Sequence, residues 1–290
     1  MDVVQAIVYG IVQGITEWLP ISSTAHLRIV PALMGWPDPG AGFTAVIQLG
    51  TVLAVLIYFW KDLGKALKAW FLSLRGIGRD TPEAKMGWAV FVGTVPIIVL
   101  GFLLKDFIKS DQTRSLYVIA STLIGMGVFM LIAEKVGKRT REIGSVEPKD
   151  GVLVGLFQCL SLIPGMSRSG STITGALFAG FDASTAARFS FLLSFPSILA
   201  AGLYELYEER SYLQGERLAP TLVATVVSFV VGYASIAFLI RYLQRRGIGV
   251  FVGYRIALGL LLLFLVQTGR IEAVDSGVGV ERDVPAQTRS

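Results

Sequence analysis

The side chains of this sequence that could do chemistry lie in two short polar stretches within an otherwise apolar chain. The first is QGITEWLPISSTAHL at 13–27 and the second is QCLSLIPGMSRSGSTI at 158–173. Ionisable residues at membrane depth are costly and usually serve a function. Hydroxyls combined with one carboxylate, one imidazole and one guanidinium suit a phosphate site, so we expect a phosphorylated lipid as the ligand. The residues concerned are Glu17, Ser22, Ser23, Thr24, His26, Ser167, Arg168, Ser169, Ser171 and Thr172.

Arg168 is the predicted anion-binding residue. It lies between two serines, shortly after Pro164 and Gly165. These residues favour an open turn whose backbone N–H groups face an anion, and a helix from about residue 171 would add its positive N-terminal end. A guanidinium holds phosphate through paired hydrogen bonds and stays charged in apolar surroundings.

The first stretch supplies the candidate acid–base groups. Glu17 follows Gln13 by one helical turn, so both side chains share a face. Its carboxylate could bind Mg²⁺ or Ca²⁺ together with phosphate oxygens, act as a base, or balance Arg168. His26 is the only histidine, three residues after Ser23, and a neutral imidazole on that side could take a proton from Ser23 or from water. Ser23 is therefore the candidate nucleophile or phosphate ligand, with Ser22 and Thr24 as further candidates for substrate binding.

Composition indicates an integral membrane protein. The 290 residues are 53% hydrophobic and 16% charged, whereas a soluble domain is normally about a quarter charged. The net charge is +5, and most of the Lys and Arg residues lie between the apolar segments. The sequence lacks the stripe of aromatic and basic residues that is typical of a nucleic-acid surface. A single cysteine and a single histidine exclude an intrachain disulfide and a multi-histidine zinc site. No G-x-x-x-x-G-K-[ST] motif for nucleotide phosphates is present.

Six segments are long and apolar enough to cross a bilayer, which needs roughly 20 residues. Two further regions, 3–34 and 151–181, are interrupted by the polar stretches and by Pro20, Pro31 and Pro164. Because broken helices at membrane depth must be buried in protein or line a wet cavity, we interpret both as re-entrant helix–break–helix hairpins. The predicted fold is all-α, with spans at 43–60, 88–105, 115–133, 187–205, 220–241 and 250–267.

The distribution of Lys and Arg predicts the orientation of these spans. The connections 61–85, 134–150 and 241–249 carry six, five and three of these residues, whereas 106–114 and 206–219 carry two each. By the positive-inside rule the first three connections are cytoplasmic, which places both termini outside. Segment 61–85 also has the aromatic and basic composition of an interfacial helix.

The two halves of the chain resemble each other. Gln13, Pro20 and Ser23 are echoed by Gln158, Pro164 and Ser167, and residues 43–58 align without gaps with 189–204. Each half contains one hairpin and three spans, and an odd number of spans inverts the second copy. We predict repeats at 1–140 and 141–267 and a flexible tail at 268–290. GxxxG spacings at 10–14 and 151–155 allow close helix approach and leave a homodimer open.

At these residues the chain resembles the undecaprenyl-diphosphate phosphatase family of bacterial membranes, of the bacitracin-resistance type. The resemblance rests on QGITEWLPISSTAHL, PGMSRSGSTI and the intervening FTAVIQLGTVLAVLIYFW, and it extends over roughly residues 1–267. It implies removal of the terminal phosphate from a polyprenyl diphosphate, which recycles the lipid carrier of cell-wall synthesis. It also implies the bacterial inner membrane, with the site facing the outer side.

The resemblance further implies roles for particular residues and a divalent metal. The serine, histidine and arginine roles fall on Ser23, His26 and Arg168, and the phosphate-loop contacts on Ser167, Ser169 and Thr172. Gln13 stands where the family commonly has a second glutamate, so Glu17 is expected to carry most of the metal binding. The main alternative is a transporter or flippase of an anionic lipid, in which the same residues bind the substrate without cleaving it.

Overall fold

The computed structural model describes residues 1–108, 113, 115–208, 210, 215–271 and 273. These residues form α-helices and short 3-10 turns, and no β-strand beyond one isolated bridge between Arg141 and Phe181. Most of the predicted tail 268–290 lies outside the described residues. The α-helices are α1 (Val3–Trp18), α2 (Ser23–Met34), α3 (Gly40–Tyr58), α4 (Trp60–Leu74), α5 (Pro82–Leu103), α6 (Lys105–Ile108), α7 (Leu116–Val136), α8 (Pro148–Cys159), α9 (Arg168–Phe178), α10 (Ala183–Glu208), α11 (Leu218–Leu243) and α12 (Gly249–Gln267).

Five of the described helices are long and apolar enough to cross a membrane, namely α5, α7, α10, α11 with its preceding turn, and α12. A sixth crossing is reached if α3 and α4 are counted as one span bent by 77°. Five of the predicted apolar segments fall on these five helices, with ends that differ by up to about six residues, and the predicted segment 43–60 falls on α3. The chain is therefore an all-α, multi-pass membrane protein, as its composition predicted.

Helix α4 has the two faces expected of a helix lying at a membrane surface. Ala66 and Ser73 are buried, whereas Leu67 and Phe71 on the other side are 56% exposed. Its Trp70 packs edge-on against Trp88 at the start of α5, with ring centroids 5.9 Å apart. This helix lies within the segment 61–85 that the sequence marked as interfacial.

Both polar stretches form a helix, a break and a second helix. The first break follows Trp18 and ends at Ser22, and the second runs from a 3-10 turn at Leu160–Leu162 to Ser167. Pro31, expected to interrupt the first region, lies inside α2 without breaking it. The second helix of the second hairpin begins at Arg168, three residues earlier than predicted, because the Ser167 side chain caps it.

The hairpins pack in a mirrored way. Helix α1 packs on α11 of the other half, and α8 packs on α5 of the first half. Glycines make both approaches close, since a Cβ at Gly14 would lie 2.7 Å from Val231 Cβ, and one at Gly155 would lie 2.4 Å from Gly93 O. The GxxxG glycines are thus occupied within one chain, which removes the sequence argument for a homodimer.

Candidate active site

The breaks of the two hairpins lie side by side. The Arg168 Nη1 atom is 3.5 Å from Glu17 Oε1, although 151 residues separate the two in sequence. The Ser169 hydroxyl donates to the carbonyl of Leu19, with a distance of 3.1 Å. The folded chain therefore brings the predicted carboxylate and guanidinium to one place.

Glu17 is buried and receives hydrogen bonds from three side chains. Gln13 Nε2 and Ser23 Oγ donate to Oε2 over 3.0 and 2.7 Å, and Gln48 Nε2 donates to Oε1 over 3.2 Å. A short hydroxyl-to-carboxylate hydrogen bond is the arrangement in which a carboxylate activates a serine nucleophile. Ser23 thus contacts a carboxylate of its own hairpin.

Arg168 has hydrogen-bonding capacity that the protein does not use. Its Nε and Nη1 atoms are buried and have no hydrogen-bond partner in the described part of the chain, while the side chain as a whole is 24% exposed. Buried N–H groups without a hydrogen-bond partner are costly, so each one needs an explanation such as a bound anion. An anionic oxygen placed beside the guanidinium would satisfy them.

The N-termini of α2 and α9 converge on the same place. Both helices are capped by a serine with a left-handed backbone, Ser22 with φ 77° and Ser167 with φ 68°. Their hydroxyls accept from the N–H groups of Ala25 and Gly170 respectively. The leading N–H groups of a helix lack intrahelical partners and carry partial positive charge, so two such ends favour an anion. The caps pair Ser22, rather than Ser23, with Ser167, which shifts the repeat alignment by one residue.

A small polar cavity of about 60 Å³ lies between the breaks. It adjoins a wider cavity of about 300 Å³ that reaches Asp38, Ile108 and Glu205, at the ends of the helices on one side of the protein. Ser23, Thr24 and Arg168 line both cavities. Six of the ten predicted residues line the smaller cavity, namely Glu17, Ser22, Ser23, Thr24, Ser167 and Arg168.

His26 does not contact Ser23. Its Nδ1 is 2.7 Å from the Ser22 carbonyl and its Nε2 is 2.6 Å from the Tyr254 hydroxyl, against which the ring is stacked. A carbonyl only accepts, so Nδ1 carries the proton and Nε2 accepts from Tyr254. The spacing correctly predicted that Ser23 and His26 lie on one helix. It did not predict the direction of the imidazole ring, which faces α12 instead of Ser23.

The remaining predicted residues hold the site in place instead of lining the smaller cavity. Gln13 lines the wider cavity and supports Glu17. Thr172 is fully buried and donates to the carbonyl of Arg168 over 2.7 Å. Ser169 contacts Ser167 and Leu19, and the Ser171 hydroxyl is 3.7 Å from Met126 Sδ. The side chains of Ser169, Ser171 and Thr172 on α9 are therefore buried within the protein.

Three polar residues of the site were missed from the sequence. Gln48 lies on α3 and donates to Glu17, while Tyr254 and Arg255 lie on α12 and contact the two hairpins. Arg255 did carry a signal, because it is the one basic residue inside the apolar segment 250–267. An ionisable residue in such a segment indicates a functional position.

The donor set of the site suits a divalent cation only in the company of phosphate. The described residues contain no group of three or more Asp, Glu, His or Cys side chains that could hold a metal. Mg²⁺, however, is commonly bound through one or two carboxylates plus substrate phosphates. Glu17, with the amide groups of Gln13 and Gln48 beside it, fits this second pattern.

Comparison with known proteins identifies the family. The family described as "Bacitracin resistance protein BacA" matches residues 6–261. The chain belongs to this family. Curated relatives named undecaprenyl-diphosphatase include a Chlorobaculum tepidum protein, 48% identical with 93% of this chain and 99% of the relative covered. A Chloroherpeton thalassium relative is 49% identical, covering 94% of this chain and 100% of its own length. A Myxococcus xanthus relative is 49% identical, covering 97% and 95%. The BacA family match over residues 6–261 includes both polar stretches and Arg255.

Proposed function

We propose that this BacA-family chain is an undecaprenyl-diphosphate phosphatase, which hydrolyses the lipid diphosphate to the monophosphate and inorganic phosphate. The observation that carries the proposal is the Glu17–Ser23 hydrogen bond beside the unpartnered Nε and Nη1 atoms of Arg168. A carboxylate, a hydroxyl and a guanidinium that is ion-paired yet keeps N–H groups without a hydrogen-bond partner suit phosphoryl transfer, which depends on positioning and on charge stabilisation. The names of the relatives support the same activity. In a bacterium it would recycle the lipid carrier of cell-wall synthesis at the inner membrane.

In the proposed reaction the Ser23 hydroxyl attacks the terminal phosphorus. The bond from phosphorus to the bridging oxygen breaks, the lipid monophosphate leaves, and Glu17 takes the serine proton. Water then hydrolyses the phosphoserine, which releases phosphate and restores Ser23. Arg168 and the ends of α2 and α9 stabilise the charge on the phosphoryl oxygens, and such stabilisation is usually the largest contribution to catalysis.

A divalent cation, Mg²⁺ or Ca²⁺, would be held by Glu17 and the substrate phosphates. Bound there, it would neutralise part of the charge of the diphosphate. The roles of Ser22, Thr24 and Ser167, which line the cavity, are to donate to the phosphate. Those of Gln13, Ser169 and Thr172 are to keep Glu17 and Arg168 in place.

The mirrored packing supports a topology of six spans and two re-entrant hairpins in inverted repeats. Each hairpin packs against the second span of the other half, α1 on α11 and α8 on α5. Both second hairpin helices begin at a left-handed serine. The wider cavity reaches Asp38 and Glu205, beside the connections with few Lys and Arg, so we propose that the site opens to the outer side.

The deciding experiment is phosphate release by the purified protein in detergent, with undecaprenyl and farnesyl diphosphates, with and without chelator. We expect release that the chelator suppresses and that Mg²⁺ or Ca²⁺ restores. Glu17→Gln and Arg168→Gln should each lower turnover by about 100-fold or more, as for the loss of one charge-stabilising group. A folded protein without phosphate release, but with lipid movement in sealed vesicles, would support the flippase instead.

A second measurement concerns the nucleophile. Acid quenching during turnover should trap a phosphate on Ser23, detectable by mass spectrometry of the peptide that contains it. Ser23→Ala should abolish both the adduct and the turnover. If Ser23→Ala retains a tenth or more of the wild-type turnover, water is the nucleophile and Ser23 is a phosphate ligand.

A further inference from the structure

Arg255 is a fully buried cation within the last membrane-spanning helix. Its guanidinium donates only to backbone carbonyls, with no carboxylate within 4 Å in the described ranges. The acceptors are the carbonyls of Pro20, Thr122, Leu123, Gly165 and Met166, at 2.8–3.4 Å. A charge of this kind is costly to bury, so its retention in the core needs a use.

The five carbonyls come from three separate parts of the fold. Pro20 belongs to the break of the first hairpin, and Gly165 and Met166 belong to the break of the second. Thr122 and Leu123 lie on α7, which packs along α12. One side chain therefore joins both breaks to a rigid pair of helices.

These contacts lie immediately behind the reactive groups. Pro20 is two residues before Ser22, and Met166 is two residues before Arg168. A Cβ placed on Gly170, in the first turn of α9, would lie 3.6 Å from Arg255 Nη1. Thr122 adds a parallel contact, since its hydroxyl donates to the Pro164 carbonyl over 2.7 Å. The position of Arg255 thus sets the separation of the two breaks.

We infer that Arg255 is a positioning residue, whose guanidinium ties the two hairpin breaks together and so fixes the Glu17–Arg168 distance needed for phosphoryl transfer. This inference rests on the proposed function. The planar fork of five N–H donors explains why arginine occupies the position, because a lysine carries its charge at one point and reaches fewer acceptors. Arg255 does not line the cavity, so its effect on catalysis passes through the backbone.

The test compares Arg255→Gln and Arg255→Lys with the wild type in the phosphate-release assay, together with thermal unfolding in detergent. For Arg255→Gln we expect turnover to fall by about 100-fold, since a misplacement of about 1 Å can cost this much. The KM should change far less, because Arg168 and the cavity are intact. Arg255→Lys keeps the charge and should recover only part of the turnover.

Arg141→Gln is the matched control. Arg141 also ties the second hairpin by its guanidinium, but at the far end, where it binds Asp150 over 2.6 and 2.8 Å and the carbonyl of Ala179. Its hydrogen bond to Asp150 raises the pKa of Arg141, so the guanidinium stays charged throughout the assay range. Arg141→Gln should lower the unfolding temperature and leave the turnover of the folded protein within a few-fold of wild type.

The outcomes separate the inference from the proposed function. A wild-type protein that releases no phosphate refutes the function itself. An active wild type with an equally active Arg255→Gln, or full recovery with lysine, refutes the positioning role. If Arg255→Gln fails to fold, Arg255→Lys decides, because it keeps the positive charge and loses the fork of donors. It should lower turnover severalfold at unchanged KM, and a wild-type turnover would overturn the inference.

Discussion

Glu17 and Arg168 differ in how many of their hydrogen-bonding groups have partners within the protein. Glu17 accepts hydrogen bonds from three side chains on its two oxygens, whereas the Nε and Nη1 atoms of Arg168 have no hydrogen-bond partner in the described residues. The anion is therefore expected to approach the guanidinium and not the carboxylate. Ser23, which donates a hydrogen bond to Glu17, lines the same cavity as both residues.

His26 and Tyr254 form a coupled pair whose removal should have a moderate effect. Since His26 contacts the Ser22 carbonyl and Tyr254, it supports the left-handed cap of α2 instead of exchanging a proton with Ser23. We expect His26→Gln and Tyr254→Phe each to lower turnover by less than Glu17→Gln does.

The measurement is a double-mutant cycle on turnover. The effect of the double variant should be smaller than the sum of the two single effects, because each change breaks the same hydrogen bond. A loss for His26→Gln as large as that for Glu17→Gln, with Tyr254→Phe unaffected, would instead assign His26 a direct part in proton transfer.

The sequence patterns predicted which polar residues of the hairpins meet at the site better than they predicted the direction of each side chain. Gln13 and Glu17 share a helical face as their spacing required, and the guanidinium meets the carboxylate. Thr172 and Ser169 point away because the α9 helix begins three residues early, which turns them toward α10 and the first break. The contacts of Arg255 could not be predicted, because all its acceptors are backbone carbonyls and carry no sequence signature.

At the scale of elements, close glycine contacts hold each hairpin against the other half. Helix α8 lies on α5 with Gly155 facing Gly93 and Gly151 facing Ala89, and no side chain separates the two backbones. Small residues allow such an approach between membrane helices. The approach of α8 to α5 therefore depends on the absence of a side chain at Gly93, Gly151 and Gly155.

Gly155→Ala tests this contact, with Gly125→Ala as its control. A methyl at Gly155 would lie 2.4 Å from the Gly93 carbonyl, whereas nothing lies within 4 Å of one at Gly125. We expect Gly155→Ala to lower the free energy of unfolding in detergent by about 1–3 kcal/mol, the range for overpacking. Gly125→Ala should be neutral or slightly stabilising, because alanine favours a helix. Equal stability of the two variants would show that the helices can separate without cost.

At the scale of the whole molecule, hydropathy was the strongest predictor. Long apolar runs predicted the five helices that are long and apolar enough to cross a membrane, because a run of that length has few other solutions in a membrane protein. The motifs predicted a relation between the halves that aligned Ser23 with Ser167, whereas the serine that caps a helix as Ser167 does is Ser22. The alignment depends on which serine has the positive φ of the cap, and the sequence alone does not distinguish Ser22 from its neighbour Ser23 in this respect.

The proposed orientation predicts which positions a membrane-impermeant maleimide reaches in intact cells. In a Cys159→Ser background, Met34→Cys should be labelled, because Met34 is 58% exposed at the open end of the first hairpin. Lys149→Cys, at the start of α8, should be labelled only after the membrane is permeabilised. The reverse pattern would place the site on the cytoplasmic side. Both variants should retain phosphate release, which confirms that they are folded.

The meeting of Glu17 and Arg168 joins two hairpins, and in the described part of the chain few hydrogen bonds join their breaks, namely that of Ser169 to the Leu19 carbonyl and the bridge through Arg255. Regions with few contacts open at a lower free-energy cost than the rest of a protein. On warming, the carboxylate and the guanidinium should therefore separate while the long helices are still intact. Loss of activity would then precede loss of helical circular dichroism, and the enzyme's working range would end below its melting point.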